Sequence, residues 1–178
     1  FNPLASGEIH VGGIQIQSRA SIGGNLCNSG PAADSIPSMI ALNGVCVIAG
    51  PAGTRELPVE SFCTAPGQNV LKPRELLVEV RFPPRPAHSG SQYRRMIPRN
   101  ELDMAGVGVG ASVVLVDSGQ NFVSARVGLG AVAPTPLLAQ AASQLLEGQP
   151  VSDESLDKAA AAAREIISPI TDMRGTRE

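Results

Sequence analysis

The stretch at residues 20–37, ASIGGNLCNSGPAADSIP, constrains this chain more than any other. Two adjacent glycines stand before an asparagine, small residues follow, and Pro31 precedes a single aspartate, Asp34. With no Cβ at Gly23 or Gly24, a ligand can approach the main chain and both amide N–H groups can turn towards it. Such a backbone suits an anion, phosphate above all. The plainer readings are a tight turn at 21–25 and Asp34 as a helix N-cap, which is compatible with ligand contact.

Ahead of the glycine pair, Ile14 and Ile16 alternate with Gln15 and Gln17 and predict a short strand. Behind it, residues 35–42 read as one or two helical turns, with Pro37 near the start and Met39, Ile40 and Leu42 free to pack. A strand at 45–49, a turn at 50–53 and a return strand at 55–59 form an expected hairpin with Leu57 and Val59 inward. Residues 61–69 are expected as a loop or short helix, and 76–82 as a strand that ends at Pro83-Pro84, which cannot continue a ladder. The Pro-, Gly- and Ser-containing segment 83–90 is the expected boundary between two units, 1–86 and 87–178.

In the second unit a strand is expected at 91–96, and residues 105–117 form a valine-rich one. If extended, that segment puts Gly106, Gly108 and Gly110 on one side and Val107, Val109 and Ala111 on the other. A GxGxG pattern invites a nucleotide-loop reading, but the fingerprint needs a turn and a helix opening at the third glycine, whereas valines continue through Val116. Close packing of a helix on the sheet is therefore the expected use of these glycines. Asp117-Ser-Gly-Gln makes a hairpin turn, and 122–132 returns with Ala125, Val127 and Leu129 alternating. Thr135-Pro136 predicts the N-cap and first position of a helix running to about Glu147, and Ser152 opens another that reaches Ile167. Ala159 to Ala163 would let this last helix lie close to a sheet. Strands followed by helices make the fold α+β with an antiparallel sheet.

Composition narrows the function. No apolar run approaches the roughly 20 residues that span a bilayer. A net charge of −2, one Tyr and no Trp argue against a nucleic-acid surface. Cys27, Cys46 and Cys63 lack CxxC spacing, so buried thiols are expected rather than a metal site or disulfide framework. No signal-peptide pattern is visible, and a cytoplasmic location is expected. His10 and His88 have no carboxylate or nucleophile patterned around them, so histidine acid–base catalysis is not expected; Asp172 and Arg174 read as a capping pair.

SIGGN, with Asp34 nine residues beyond its Asn25, resembles the second flavin-binding motif of the FAD-binding (medium) subunits of molybdenum hydroxylases, the xanthine dehydrogenase and CO dehydrogenase flavoproteins. The resemblance extends through Tyr93-Arg-Arg95, Arg99-Asn-Glu-Leu-Asp103, Val132-Ala-Pro-Thr-Pro136 and Pro169-Ile-Thr-Asp-Met-Arg174, nearly the whole chain. It implies the second part of a PCMH-type FAD-binding domain at 1–86 and a CO dehydrogenase flavoprotein C-terminal-like domain at 87–178, with antiparallel strands backed by helices. It further implies that Ser21, Ile22, Gly23, Gly24 and Asn25 line the flavin and its diphosphate through backbone N–H groups, the Ser hydroxyl and the Asn amide. Asp34 would accept from sugar or ribityl hydroxyls, Leu77 would supply a backbone contact to the flavin end, and Arg95 would stand where relatives have lysine. The plainer reading makes Arg95, Arg99 and Asp103 structural ion-pair residues.

The resemblance also places a first flavin motif upstream of Phe1 and a further helix beyond Glu178, so an N-terminally truncated piece of the subunit is expected. The implied function is an electron-transfer flavoprotein: FAD takes electrons from iron–sulfur clusters on a small subunit, a molybdopterin-binding large subunit hydroxylates substrate, and NAD or a quinone is the acceptor. Two other classes stay open: a cofactor-free structural or docking fragment of that subunit, and a phosphate or nucleotide binder of another family.

Overall fold

In the computed structural model of the chain, residues 11–99, 103–171 and 176 are described. The fold is α+β and, among the described residues, is built on a three-stranded and a four-stranded antiparallel sheet with a small two-stranded ribbon. The described residues begin with a helical turn, α1 (Ile14–Gln17), in place of the predicted strand. The Gly13 carbonyl accepts from the Ile16 and Gln17 amides at 2.9 and 3.0 Å. Two alternating pairs are too short a pattern to outweigh these local bonds.

Helix α2 (Ile22–Asn28) carries the glycine motif and ends at Ser29, whose φ of 49° closes it in the left-handed conformation. The predicted helix after Asp34 is present as α3 (Ser35–Ala41), every residue of which is buried. The expected hairpin follows as β1 (Val45–Gly50) and β2 (Gly53–Pro58), and a 3₁₀ turn (Val59–Ser61) folds Val59 into the core. Residues 63–69 form a small ribbon, β3 (Cys63–Ala65) with β4 (Gln68–Asn69), rather than a plain loop. The strand before Pro83 is β5 (Leu76–Arg81), and the sheet order is β2-β1-β5. Leu26, Ile36, Met39, Ile40, Cys46, Ile48, Val59 and Phe62 form its core against α2 and α3.

The second sheet is a meander of β6 (Ser89–Met96), β7 (Val107–Leu115), β8 (Phe122–Gly130) and β9 (Leu137–Leu138). Helices α4 (Gln140–Leu146) and α5 (Asp153–Glu165) pack Leu146, Ala142 and Ala159 with Phe122, Ala125 and Leu129 of β8. Ser152, expected to open this helix, caps α5 through a reciprocal pair of bonds with Ser155. The helix predicted from Pro136 begins only at Gln140. Leu137 and Leu138 instead pair with Leu129 and Gly128 as an edge strand, where the missing N–H of the preceding proline costs no ladder bond.

The other face of this sheet is covered by α3, from the far side of the Pro83-Pro84 break. A Cβ at Gly110 or Gly128 would lie 2.5 or 2.4 Å from the Pro37 carbonyl oxygen, and one at Gly130 would lie 2.7 Å from Pro37 Cγ. A Cβ at Gly108 would meet the Tyr93 hydroxyl at 2.7 Å. Gly110 of β7 thus serves close helix-on-sheet packing while Gly108 makes room for Tyr93, and the nucleotide-loop reading falls because the segment is continuous strand. Arg126 of β8 adds a second tie, donating to the Ile40 carbonyl and to Glu60 Oε1 at 3.0 and 2.9 Å.

Candidate functional site

The motif at 21–25 forms the first turn of a helix, not the isolated tight turn of the plainer reading. Ser21 is extended and its Oγ accepts from the Gly24 amide at 3.0 Å, which makes it the N-cap of α2. The amides of Ile22 and Gly23 precede any intrahelical acceptor and make no hydrogen bond among the described residues. They form a small set of open donors. A Cβ added to Gly23 would meet only Leu77 Cδ2, at 3.9 Å, so α2 and β5 bring Leu77 beside the glycine.

Asn25 lies one turn on, and its Oδ1 accepts from Ser35 Oγ at 2.5 Å. That bond leads to Asp34, which is 8% exposed. Its Oδ1 accepts from the Tyr93 hydroxyl at 2.6 Å and its Oδ2 from Arg95 Nη1 at 3.0 Å. Asp34 occupies the N-cap position of α3 without a side-chain capping bond; the carboxylate is engaged by β6 instead. The Arg95 side chain is 6% exposed, so the pair is withdrawn from bulk water. Burial, and after it the bond to Asp34, pushes the Tyr93 hydroxyl far above its ordinary range, so that it stays a donor.

Arg99 and Asp103 form their own ion pair, with Arg99 Nε 3.0 Å from Oδ1 and the Arg99 amide 2.7 Å from Oδ2. Hydrogen bonding to Arg99 holds the Asp103 carboxyl below the usual range. Arg95, Arg99 and Asp103 thus enter two ion pairs, Arg95 with Asp34 and Arg99 with Asp103. Ser21, Gly23, Gly24, Asn25 and Leu77 share one end of α2, whereas Asp34 and Arg95 form a buried pair reached from it through Ser35.

Sequence reasoning missed Ser35 and the hydroxyl of Tyr93 as partners of the motif. The Tyr93 bond spans 59 residues, and only the need of a lone buried carboxylate for donors could have pointed to it. His88 has Asp117 Oδ1 3.5 Å from Nε2, a carboxylate the sequence pattern did not reveal, with both side chains exposed. His10, Asp172 and Arg174 lie outside the described residues. Cys46 is buried, and burial pushes its thiol up to about 12; Cys27 and Cys63 are half-buried and also raised. Among the described residues no group of three or more His, Cys, Asp or Glu is placed to hold a metal ion, and no helix is long and apolar enough to cross a membrane.

Residues 7–85 match the family described as the FAD binding domain in molybdopterin dehydrogenase, and 91–178 match the CO dehydrogenase flavoprotein C-terminal domain. The chain is 32% identical over 176 residues to the xanthine dehydrogenase FAD-binding subunit of Escherichia coli O157:H7, covering 98% of this chain and 60% of that one. It is 35% identical over 164 residues to the carbon monoxide dehydrogenase medium chain of Afipia carboxidovorans, covering 92% and 56%. It thus spans under two thirds of the length of these relatives. Among solved structures, it matches CO dehydrogenase from Hydrogenophaga pseudoflava with a TM-score of 0.88 at 31% identity, over 95% of this chain and 58% of that one. These matches span the glycine motif, the Asp34 link and the meander, and by them the chain belongs to the FAD-binding (medium) subunit family of the molybdenum hydroxylases.

Proposed function

We propose that this chain holds FAD and acts as the electron-transfer flavoprotein part of a molybdenum hydroxylase, an oxidoreductase. The observation that carries the reading is the Ser21-capped glycine turn, whose open Ile22 and Gly23 amides stand beside Leu77. Open amides suit diphosphate oxygens, and an apolar side chain next to them suits the flavin end, so the residues present fit the cofactor. When bound, FAD supplies the electron chemistry, taking electrons from iron–sulfur clusters and passing them to NAD or a quinone.

The chain's own residues bind and orient. Ser21 fixes the first turn of α2, Gly23 and Gly24 let the ligand reach the main chain, and Asn25 offers its amide. Asp34 and Arg95 complete the proposed site. Each oxygen of Asp34 has more than one lone pair, so a sugar or ribityl hydroxyl joins a carboxylate already held by Tyr93 and Arg95. In this reading residues 1–86 belong to the FAD-binding domain and 87–178 to the C-terminal domain. The partners are a molybdopterin-binding large subunit and an iron–sulfur small subunit in the cytoplasm.

The test is titration of the 178-residue chain with FAD, followed by flavin fluorescence, with ATP and NAD in parallel. Micromolar or tighter binding of FAD in preference to the other two is the expected result. No binding of FAD would leave the cofactor-free docking fragment, and preference for ATP or NAD would point to another nucleotide binder.

A further inference from the structure

Ser35 is 1% exposed, and a hydroxyl that deep needs an acceptor for its proton. Among the described residues that acceptor is Asn25 Oδ1, 2.5 Å away. Turning the Asn25 amide round would aim Nδ2 at Ser35 Oγ and leave the hydroxyl proton with no acceptor. The buried serine thus selects one face of the amide: Oδ1 points to Ser35 and Nδ2 points away from it. Nδ2 makes no hydrogen bond among the described residues, and Asn25 is half-buried rather than enclosed. Asn25 stands three residues after Ile22 on α2, hence on the same side of the helix as that open amide. The groups presented there are all donors, because Ser21 Oγ already accepts from Gly24.

We propose that Ser35 is a positioning residue for the ligand site. It locks the Asn25 amide so that Nδ2 donates to an anionic oxygen, the diphosphate of FAD. The inference rests on the reading that the chain binds FAD. It adds a residue with no ligand contact of its own, and it assigns Asn25 to the diphosphate rather than to the flavin ring.

The experiment titrates the 178-residue chain and its Asn25→Asp and Ser35→Ala variants with FAD and with riboflavin, which lacks the diphosphate, and records a thermal melt of each. Asn25→Asp keeps an acceptor for Ser35 but puts an anionic oxygen where the donor was. FAD affinity should fall by roughly 10- to 100-fold, the loss of a hydrogen bond to a charged group, with riboflavin unchanged. In Ser35→Ala the amide is free to turn. A competent fraction of about one third lowers FAD affinity about threefold, again sparing riboflavin. Ser35→Cys, close in size and a weaker donor, replaces the Ala variant if that chain melts early, with a smaller loss in the same direction. A wild-type chain that binds no FAD overturns the cofactor reading and this inference with it. Wild-type binding of FAD with both variants equal to it, or riboflavin weakened in step with FAD, overturns the positioning role alone.

Discussion

Replacing Gly128 by alanine tests whether α3 is clamped onto the second sheet. The added Cβ would sit 2.4 Å from the Pro37 carbonyl oxygen and 3.0 Å from Ile40 Cβ, so helix and strand must part by about an ångström before van der Waals contact is restored. Overpacking of this kind costs about 1–3 kcal/mol. The displacement also pulls Asp34, which leads directly into α3, away from Tyr93 and Arg95 on β6. Weakening a hydrogen bond to a charged group adds about 1.5–3 kcal/mol. The combined loss of about 2.5–6 kcal/mol is a large share of the 5–15 kcal/mol that typically holds a domain together. Urea unfolding followed by circular dichroism reads it. With an m-value of about 2 kcal/mol/M, the midpoint should fall by about 1.3–3 M. Gly90→Ala is the control, since a Cβ there meets nothing within 4 Å and alanine suits a strand interior better than glycine. A Gly128→Ala midpoint as close to wild type as that of Gly90→Ala would refute the clamp.

Three further outcomes follow from the same contacts. Tyr93 is the chain's one tyrosine and there is no tryptophan, so phenolate absorbance near 295 nm reports it alone. Its folded pKa lies above the ordinary value of about 10, so its contribution to stability is intact below pH 10 and is lost as pH rises beyond it; phenolate should appear only together with unfolding, and reversible ionisation of the folded chain near pH 10 would contradict the Asp34 bond. Glu75 receives Arg55 Nε at 3.0 Å, Arg55 Nη2 at 2.7 Å and the Lys72 amide at 2.8 Å, and Arg55 lowers its carboxyl from 4.5 to about 2. That stabilisation is present above pH 4.5 and lost as pH falls towards 2, so the difference in melting temperature between wild type and Glu75→Gln should shrink across this window; a constant difference would exclude the pair as its source. Ser152→Ala removes the hydroxyl that accepts from the Ser155 amide at 3.3 Å, leaving the reciprocal bond from the residue-152 amide to Ser155 Oγ, and should lower unfolding stability by about 1 kcal/mol in the same urea assay.

The elements that were legible in the sequence are those whose signals are local. The hairpin at 45–58 has a Gly-Pro-Ala-Gly turn between two strand-forming runs, and α5 has a serine cap followed by a long alanine-rich segment. The glycine side of β7 was also readable, because alternation in a strand sends Gly108 and Gly110 to one face. Which helix would occupy that face was not. The alanine-rich C-terminal helix looked suited to close approach, yet Pro37 of α3 is the group that touches Gly110, Gly128 and Gly130. Failures came where short patterns met tertiary demands: Ile14 and Ile16 alternate but lie in a helical turn, and Leu137 and Leu138 join an edge strand before α4 begins. At the site, Ser21–Asn25 announced itself through two glycines and an asparagine, whereas Ser35 carries no signal in a linear reading. Its meaning depends on being 1% exposed and facing Asn25.

These contacts make the second sheet part of the candidate site without supplying its first contacts. Tyr93 and Arg95 reach across from β6 to the carboxylate at the head of α3. The next residue of α3, Ser35, bonds the amide of the glycine motif. Pro37, two residues further on, is pressed into the glycine groove of β7 and β8. The motif's orientation is therefore carried by one short helix held at both ends of its first turn by the meander. An anion-binding turn gains affinity when its donors are already aimed before the ligand arrives, because ordering them on binding would subtract from the interaction. Removing the meander would then weaken the proposed FAD binding at residues 21–25 even though no strand of it lies in the motif. The chain's two halves, separate in sequence at the double proline, work as one support for a single site.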